Sequence, residues 1–194
     1  MIYLLRHGQT EFNAAGRYQG RIDSALNAKG LAQAGSMGAM MATLVDPAHT
    51  VILSSPLARA ARTAEIVGEA FGLPTTLDPR LTEVSMGDWE GLTAHQIDTG
   101  WPGVRDSFPR NGWFFGAPGG ETLAQVTARV TSLLVDAQSH AKPNRILVSH
   151  AITGRILRGI FADLPPERAF RLEIPQDAVF RLHGNGQIER ISAV

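Results

Sequence analysis

Apolar positions follow two rhythms along this chain. Short unbroken runs, Ile2-Tyr3-Leu4-Leu5, Val51-Ile52-Leu53 and Ile146-Leu147-Val148, read as buried strands. Between them the apolar residues recur at helical spacing. Leu31, Ala34, Met37, Met41 and Leu44 predict a helix over about 28–44, with Asn27 as its N-cap. Leu57, Ala61, Ala64, Val67 and Phe71 predict another over about 57–71, capped by Ser54 or Ser55 with Pro56 in its first turn and closed by Gly72. Leu123, Val126, Val130, Leu133 and Leu134 form the stripe of a helix over about 121–139, in which Glu121 is a capping candidate. A helix over 151–161 follows the strand that ends at Ser149.

The remaining segments are read from their punctuation. Residues 7–27 are polar and Gly-containing and read as a loop. Leu73 to Leu77 is a third short strand, and a helix starts near Thr93. Residues 176–183 and 187–191 form a hairpin turned by Gly184-Asn185-Gly186. Strand–helix alternation places the chain in the α/β class, as a three-layer α/β/α fold with a mostly parallel central sheet. With 194 residues and no repeat or linker, one domain over 1–194 is expected. Residues 99–120 break the alternation, with six Gly, three Pro, Trp101, Phe108, Trp113, Phe114 and Phe115. They read as a lid or substrate-lining excursion, or as an aromatic plug holding the loop to the body.

Composition narrows the classes of function. Eighteen basic and eighteen acidic residues give zero net charge, which removes a global electrostatic case for nucleic acid or an anionic membrane. The absence of Cys excludes disulfides, thiolate catalysis and Cys-ligated zinc. No apolar run approaches ~18 residues and no leader pattern is evident, so a soluble, cytoplasmic protein is expected.

Three strands end in residues that need explaining. The first ends in Arg6-His7, the second in Ser54-Ser55 just before Arg59, and the late one in Ser149-His150. Parallel strands share one carboxyl edge, where ligands bind in open α/β sheets, so these residues are expected to converge with Glu83. Arg6 and Arg59 would make a positive pocket suited to a phosphoryl dianion. The same field keeps a neighbouring imidazole neutral, with a lone pair able to attack phosphorus. Glu83 could then protonate the leaving alkoxide, the structural alternative being an ion pair with Arg80.

These residues sit in a pattern that resembles the histidine phosphatase superfamily, in its phosphoglycerate mutase-like branch. Leu5-Arg6-His7-Gly8-Gln9-Thr10 with Asn13 resembles its signature. Tyr18 to Asp23, Ser54 to Ala60, Leu81-Thr82-Glu83 with Gly87 to Gly91, Gly120-Glu121-Thr122, and Val148-Ser149-His150 resemble its later blocks, in order over roughly 1–160. The resemblance implies His7 as the nucleophile forming a phosphohistidine. It implies Arg6, Arg59 and His150 as the phosphoryl clamp and Glu83 as proton donor, then base for water. Asn13, Thr10 and Gln19 would contact phosphate or substrate. Ala151 departs from the Gly common after the second His.

The expected function is a metal-independent histidine acid-type phosphatase, needing no cofactor, that hydrolyses a small phosphorylated metabolite. A phosphoglycerate mutase is the nearest alternative. Family mutases carry more sequence before the second His, whereas here 67 positions separate Glu83 from His150, which favours the hydrolase. A non-catalytic phosphate-binding module would not need the acid. A metal triad of His7, His150 and Glu83 is opposed by the adjacent Arg6. The partner expected is the small phosphorylated substrate, not nucleic acid or a membrane, and a homodimer is left open. Arg105, Arg110 and Trp113 are where substrate selectivity is sought.

Overall fold

The short apolar runs assemble into a six-stranded sheet in the computed structural model, which describes residues 1–108, 112–139 and 142–192. The strands are β1 (Ile2–Arg6), β2 (Thr50–Ser54), β3 (Thr75–Leu77), β4 (Asn144–Ser149), β5 (Ala178–Leu182) and β6 (Ile188–Ser192). Their spatial order is β3-β2-β4-β1-β5-β6. The first four in that order pair in parallel, and β5 and β6 extend the sheet antiparallel. The helices are α1 (Glu11–Ala14), α2 (Ala28–Leu44), α3 (Ala58–Glu69), α4 (Ala94–Gly100), α5 (Leu123–Ser139), α6 (Ala151–Phe161) and α7 (Pro166–Ala169).

A parallel sheet must be covered on both faces, and alternation within β1 shows how this is done. Tyr3 and Leu5 join Ile52, Ile146 and Val148 in a cluster with Met37 and Met41 of α2 and Val67 of α3. Ile2 and Leu4 belong to the opposite cluster, with Leu147, Val126 and Val130 of α5, and Ile156 and Leu157 of α6. The three-layer α/β/α arrangement expected from the sequence is what forms. Among the described residues, no helix is long and apolar enough to cross a membrane.

Local chemistry moved several boundaries. The loop expected over 7–27 contains α1, whose start is a capping box between Thr10 and Asn13. Helix α3 begins at Ala58, so Pro56 precedes it, and neither Ser54 nor Ser55 caps it. The cap comes from a distant residue, Asp23, whose Oδ2 accepts from Ala58 N–H at 2.7 Å. Glu121 does not cap α5 either. Thr122 does, accepting from Gln125 N–H at 3.3 Å, while Glu121 pairs with Arg129 at 2.8 Å.

The excursion over 99–120 is anchored by its aromatics. Trp113 and Phe114 are buried and join Trp89 in the α5–α6 core cluster, and the Trp113 ring lies 5.0 Å from that of Tyr18. Arg105 pairs with Asp98 at 3.0 Å and lies over Trp113. Arg110 falls outside the described residues. The packing fits the plug reading, and Phe114 also lines the cavity described next.

Candidate active site

The sheet register brings the three strand ends together. His7 N–H donates to Ser149 O at 3.0 Å, and Ser55 N–H donates to Val148 O at 3.0 Å. β1, β4 and β2 thus deliver His7, His150 and Ser55 to one edge, and the two imidazole centroids lie 5.1 Å apart. The turn after His7 needs glycine for close approach. A Cβ on Gly8 would stand 2.2 Å from Gly30 O, which no rotamer relieves because both groups are backbone.

His7 is buried, and its Nδ1 lies 2.7 Å from Gly8 O. A carbonyl only accepts, so Nδ1 carries the proton and Nε2 keeps its lone pair in the neutral ring. Burial holds the His7 pKa well below the usual histidine value, and Arg6 and Arg59 push it the same way. His150 is equally buried and depressed, first by burial and then by His7, Arg59 and Arg6. Its Nε2 shares a hydrogen bond with Ser55 Oγ at 2.8 Å.

Two neutral buried imidazoles make a prediction about stability. Their folded pKa values lie below the unfolded value of about 6.5, so under acid the unfolded chain binds more protons than the folded one. The stability they contribute is whole above that pH and is lost as pH falls below it. The loss should reach up to about 2.7 kcal/mol per pH unit while both titrate in the unfolded state. Urea midpoints measured from pH 7.5 to 5.5 should fall accordingly; a flat or rising series would contradict neutral imidazoles.

A cavity of about 290 Å³ opens beside His7, lined by Arg6, Arg59 and Glu83 among others. Arg6 donates through Nη1 to Ile174 O. Burial pushes its pKa down to about 10, opposed by Glu83 and reinforced by Arg155 and Arg59. Arg59 is almost fully buried and is held by the loop before α2. Its Nη1 donates to Ile22 O and Asp23 Oδ1, both at 2.9 Å, and its Nη2 to Gly20 O at 2.7 Å. Arg6 Nε, Arg59 Nε and His150 Nδ1 are buried without hydrogen-bond partners among the described residues. Such groups call for an explanation, and a catalytic role is one.

Glu83 reaches the cavity from the segment after a 3-10 turn over Pro79–Leu81. Its carboxylate sits at the start of α6, accepting from Ile152 N–H at 3.2 Å and Thr153 N–H at 3.0 Å. Helix N-terminal N–H groups favour an anion there. Thr153 Oγ1 lies 2.8 Å from Thr82 O and 3.2 Å from Glu83 Oε1. A hydroxyl that donates to the carbonyl can in turn accept a hydrogen bond from the Glu83 carboxyl when that group carries a proton. Arg80 takes no part, since it pairs with Asp78 and Asp136. Among the described residues, no group of three His, Asp or Glu side chains is disposed to hold a metal ion.

The remaining expected contacts divide. Asn13 and Gln19 line the cavity. Asn13 Oδ1 accepts from Thr10 N–H at 3.2 Å and from Gln176 Nε2 at 3.0 Å, which leaves its NH2 group for a ligand. Thr10 does not line the cavity. It is fully buried, and its hydroxyl is taken up as the N-cap of α1. Ala151 begins α6 and needs no glycine there. Sequence reasoning missed Asp23, Gln176 and Arg155. Asp23 could have been flagged as an acid within a motif that also supplies Gln19, whereas Gln176 and Arg155 carried no local signal.

Nucleophilic nitrogen, paired guanidinium groups and a buried carboxyl on one small cavity suit transfer of a phosphoryl group. The class follows from the whole chain: it belongs to the histidine phosphatase superfamily (branch 1), whose family model matches residues 2–194. Members of that superfamily are enzymes, phosphatases and mutases. Among relatives, the chain is 36% identical over 188 residues to the probable phosphoglycerate mutase GpmB of Salmonella paratyphi C, covering 93% of this chain and 83% of that protein. Among solved structures it is similar to a mycobacterial glucosyl-3-phosphoglycerate phosphatase, at TM-score 0.81 and 31% identity over 93% of this chain and 92% of that one. Bacillus stearothermophilus YhfR superposes at TM-score 0.83 with 27% identity, over 98% and 95% of the two chains.

Proposed function

We propose that this protein hydrolyses small phosphomonoesters through a phosphohistidine on His7, without metal or cofactor. The observation that carries this reading is the hydrogen bond from His7 Nδ1 to Gly8 O, which leaves Nε2 unprotonated on a cavity shared with Arg6, Arg59 and Glu83. The Nε2 lone pair attacks phosphorus and the P–O ester bond breaks. Its electron pair leaves on the alkoxide, which takes a proton from Glu83. Water then attacks the phosphohistidine, Glu83 recovers a proton from it, and phosphate departs. Arg6, Arg59 and His150 stabilise the charge on the transferring oxygens. Asn13 and Gln19 contact the substrate, and Phe114 of the 99–120 excursion supplies an apolar wall.

The likeness to GpmB favours a second reading, in which the phosphoryl group returns to a phosphoglycerate instead of water. Product analysis separates the two. With 3-phosphoglycerate or p-nitrophenyl phosphate, inorganic phosphate should appear in step with the alcohol, and EDTA should leave the rate unchanged. Isomerisation of 3-phosphoglycerate outrunning phosphate release would make the protein a mutase. Binding of phosphate esters with no turnover of either kind would leave only a binding module.

A further inference from the structure

Ser55 follows β2 directly and is fully buried. Its hydroxyl accepts from Leu57 N–H at 3.2 Å, just ahead of α3, and meets His150 Nε2 at 2.8 Å. Among the described residues it has no third partner. A buried hydroxyl proton needs an acceptor, and the Leu57 amide is a donor. His150 Nε2 is the acceptor that remains, so Ser55 donates and Nε2 supplies the lone pair. In a neutral imidazole the ring proton then stands on Nδ1. Burial, then the neighbouring His7, Arg59 and Arg6, disfavours the doubly protonated ring.

The opposite tautomer leaves more buried groups unmet. With the ring proton on Nε2, Ser55 Oγ would receive two donors and its own proton would have no acceptor. Nδ1 would then be a buried lone pair without a donor, since no hydrogen bond reaches it among the described residues. The tautomer set by Ser55 leaves one unmet group, the Nδ1–H. That N–H lies on a ring whose centroid is 5.1 Å from the His7 ring. His150 lines a small pocket that shares Arg6, Ala151 and Ile174 with the main cavity. In the phosphohistidine reading above, on which this inference rests, the phosphoryl group is carried on His7 Nε2. Its anionic oxygens accept hydrogen bonds, so a lone pair at His150 Nδ1 would repel them and an N–H would bind them.

We infer that Ser55 is a positioning residue: by donating to His150 Nε2 it makes His150 a neutral N–H donor, through Nδ1, to the transferring phosphoryl group. The two histidines thus hold their protons on the same ring atom for opposite ends. In His7 the Nδ1 proton is bound to Gly8 O, which frees Nε2 to attack. In His150 the Nε2 lone pair is bound to Ser55, which frees Nδ1–H to donate. No proton passes between Ser55 and His150; the hydroxyl only fixes where the ring proton stands.

Long-range nitrogen–proton NMR correlation on isotope-labelled protein reads the tautomer without any turnover. In the wild type at neutral pH, His150 should show a protonated Nδ1 and an unprotonated Nε2. A protonated Nε2 there would overturn the inference. Ser55→Ala should release the His150 ring to a mixture of tautomers while the His7 pattern stays as it was. Ser54→Ala, which removes a neighbouring buried hydroxyl bonded to Ser55 O, should leave both rings unchanged. In kinetics, Ser55→Ala should lower kcat for p-nitrophenyl phosphate about 10- to 100-fold, the usual effect of removing a group that orients a functional imidazole. In a His150→Ala background the same change should cost at most about 2-fold, because the ring it acts through is gone. Equal losses in both backgrounds, or no loss in the first, would make Ser55 purely structural and overturn the inference. If the wild type turns over no ester, the same four proteins are titrated with inorganic phosphate by calorimetry. Weakening by Ser55→Ala confined to the proteins that retain His150 upholds the assignment, and equal weakening or none refutes it.

Discussion

His7→Ala is expected to lower hydrolysis of p-nitrophenyl phosphate by at least about 10⁴-fold, as loss of a nucleophile does when no other group can form the covalent intermediate. The replacement removes the one ring nitrogen on the cavity that carries a lone pair by construction, since its Nδ1 proton is committed to Gly8 O. His150 does not substitute, because its Nε2 is engaged with Ser55 Oγ. The fold should persist, at a cost of about 1–3 kcal/mol for the orphaned Gly8 carbonyl and the small void. Labelled phosphate from substrate should be trapped on the wild-type protein in an acid-labile, base-stable form and be absent from the variant. Undiminished turnover, or unchanged labelling of a correctly folded His7→Ala protein, would refute the mechanism.

The second large effect is expected at Glu83, and its signature is dependence on the leaving group. Glu83→Gln should slow hydrolysis of alkyl phosphates by about 10²- to 10⁴-fold, the usual range for removing a general acid. p-Nitrophenyl phosphate should suffer much less in the first step, because p-nitrophenolate departs without a proton. Its second step still needs a base for water. The variant should therefore release a burst of p-nitrophenol and then stall as phosphoenzyme. Glutamine is the appropriate substitution, since its amide oxygen can still accept from Ile152 and Thr153 N–H and keep the start of α6 capped. A loss equal for alkyl and aryl esters, with a lowered melting temperature, would reassign Glu83 to a structural role at that helix end.

The residues bearing these predictions were legible to different degrees. Arg6-His7 and Ser149-His150 stood out because each interrupts an apolar run at its carboxyl end, a contrast contained in adjacent residues. The helices were legible for a similar reason, since burial of one face imposes a period on nearby positions. The caps were less so: α3 is capped by Asp23, whose carboxylate comes from 35 residues away and serves Arg59 at once. Thr10, read as a ligand contact because it lies within the first motif, is spent on the turn of α1 instead. Arg155 sits in a helix between Gly154 and Ile156 and looks like any surface arginine until Leu172, 17 residues on, is seen to hold it.

The sequence by itself determined the alternation of strands and helices, the membership of the chain in its superfamily, and the supply of two imidazoles, two guanidinium groups and a carboxyl. These follow from local patterns and from ordered motifs that do not need the third dimension. Tertiary structure alone decided which nitrogen of His7 is free, that Glu83 rests on the N-terminus of α6 some 69 residues away, and that the Leu172 carbonyl holds Arg155. Each of those depends on a hydrogen bond between groups that only the folded sheet and its helices bring within 3.2 Å. Proton position and charge pairing are properties of that geometry, and no linear pattern encodes them.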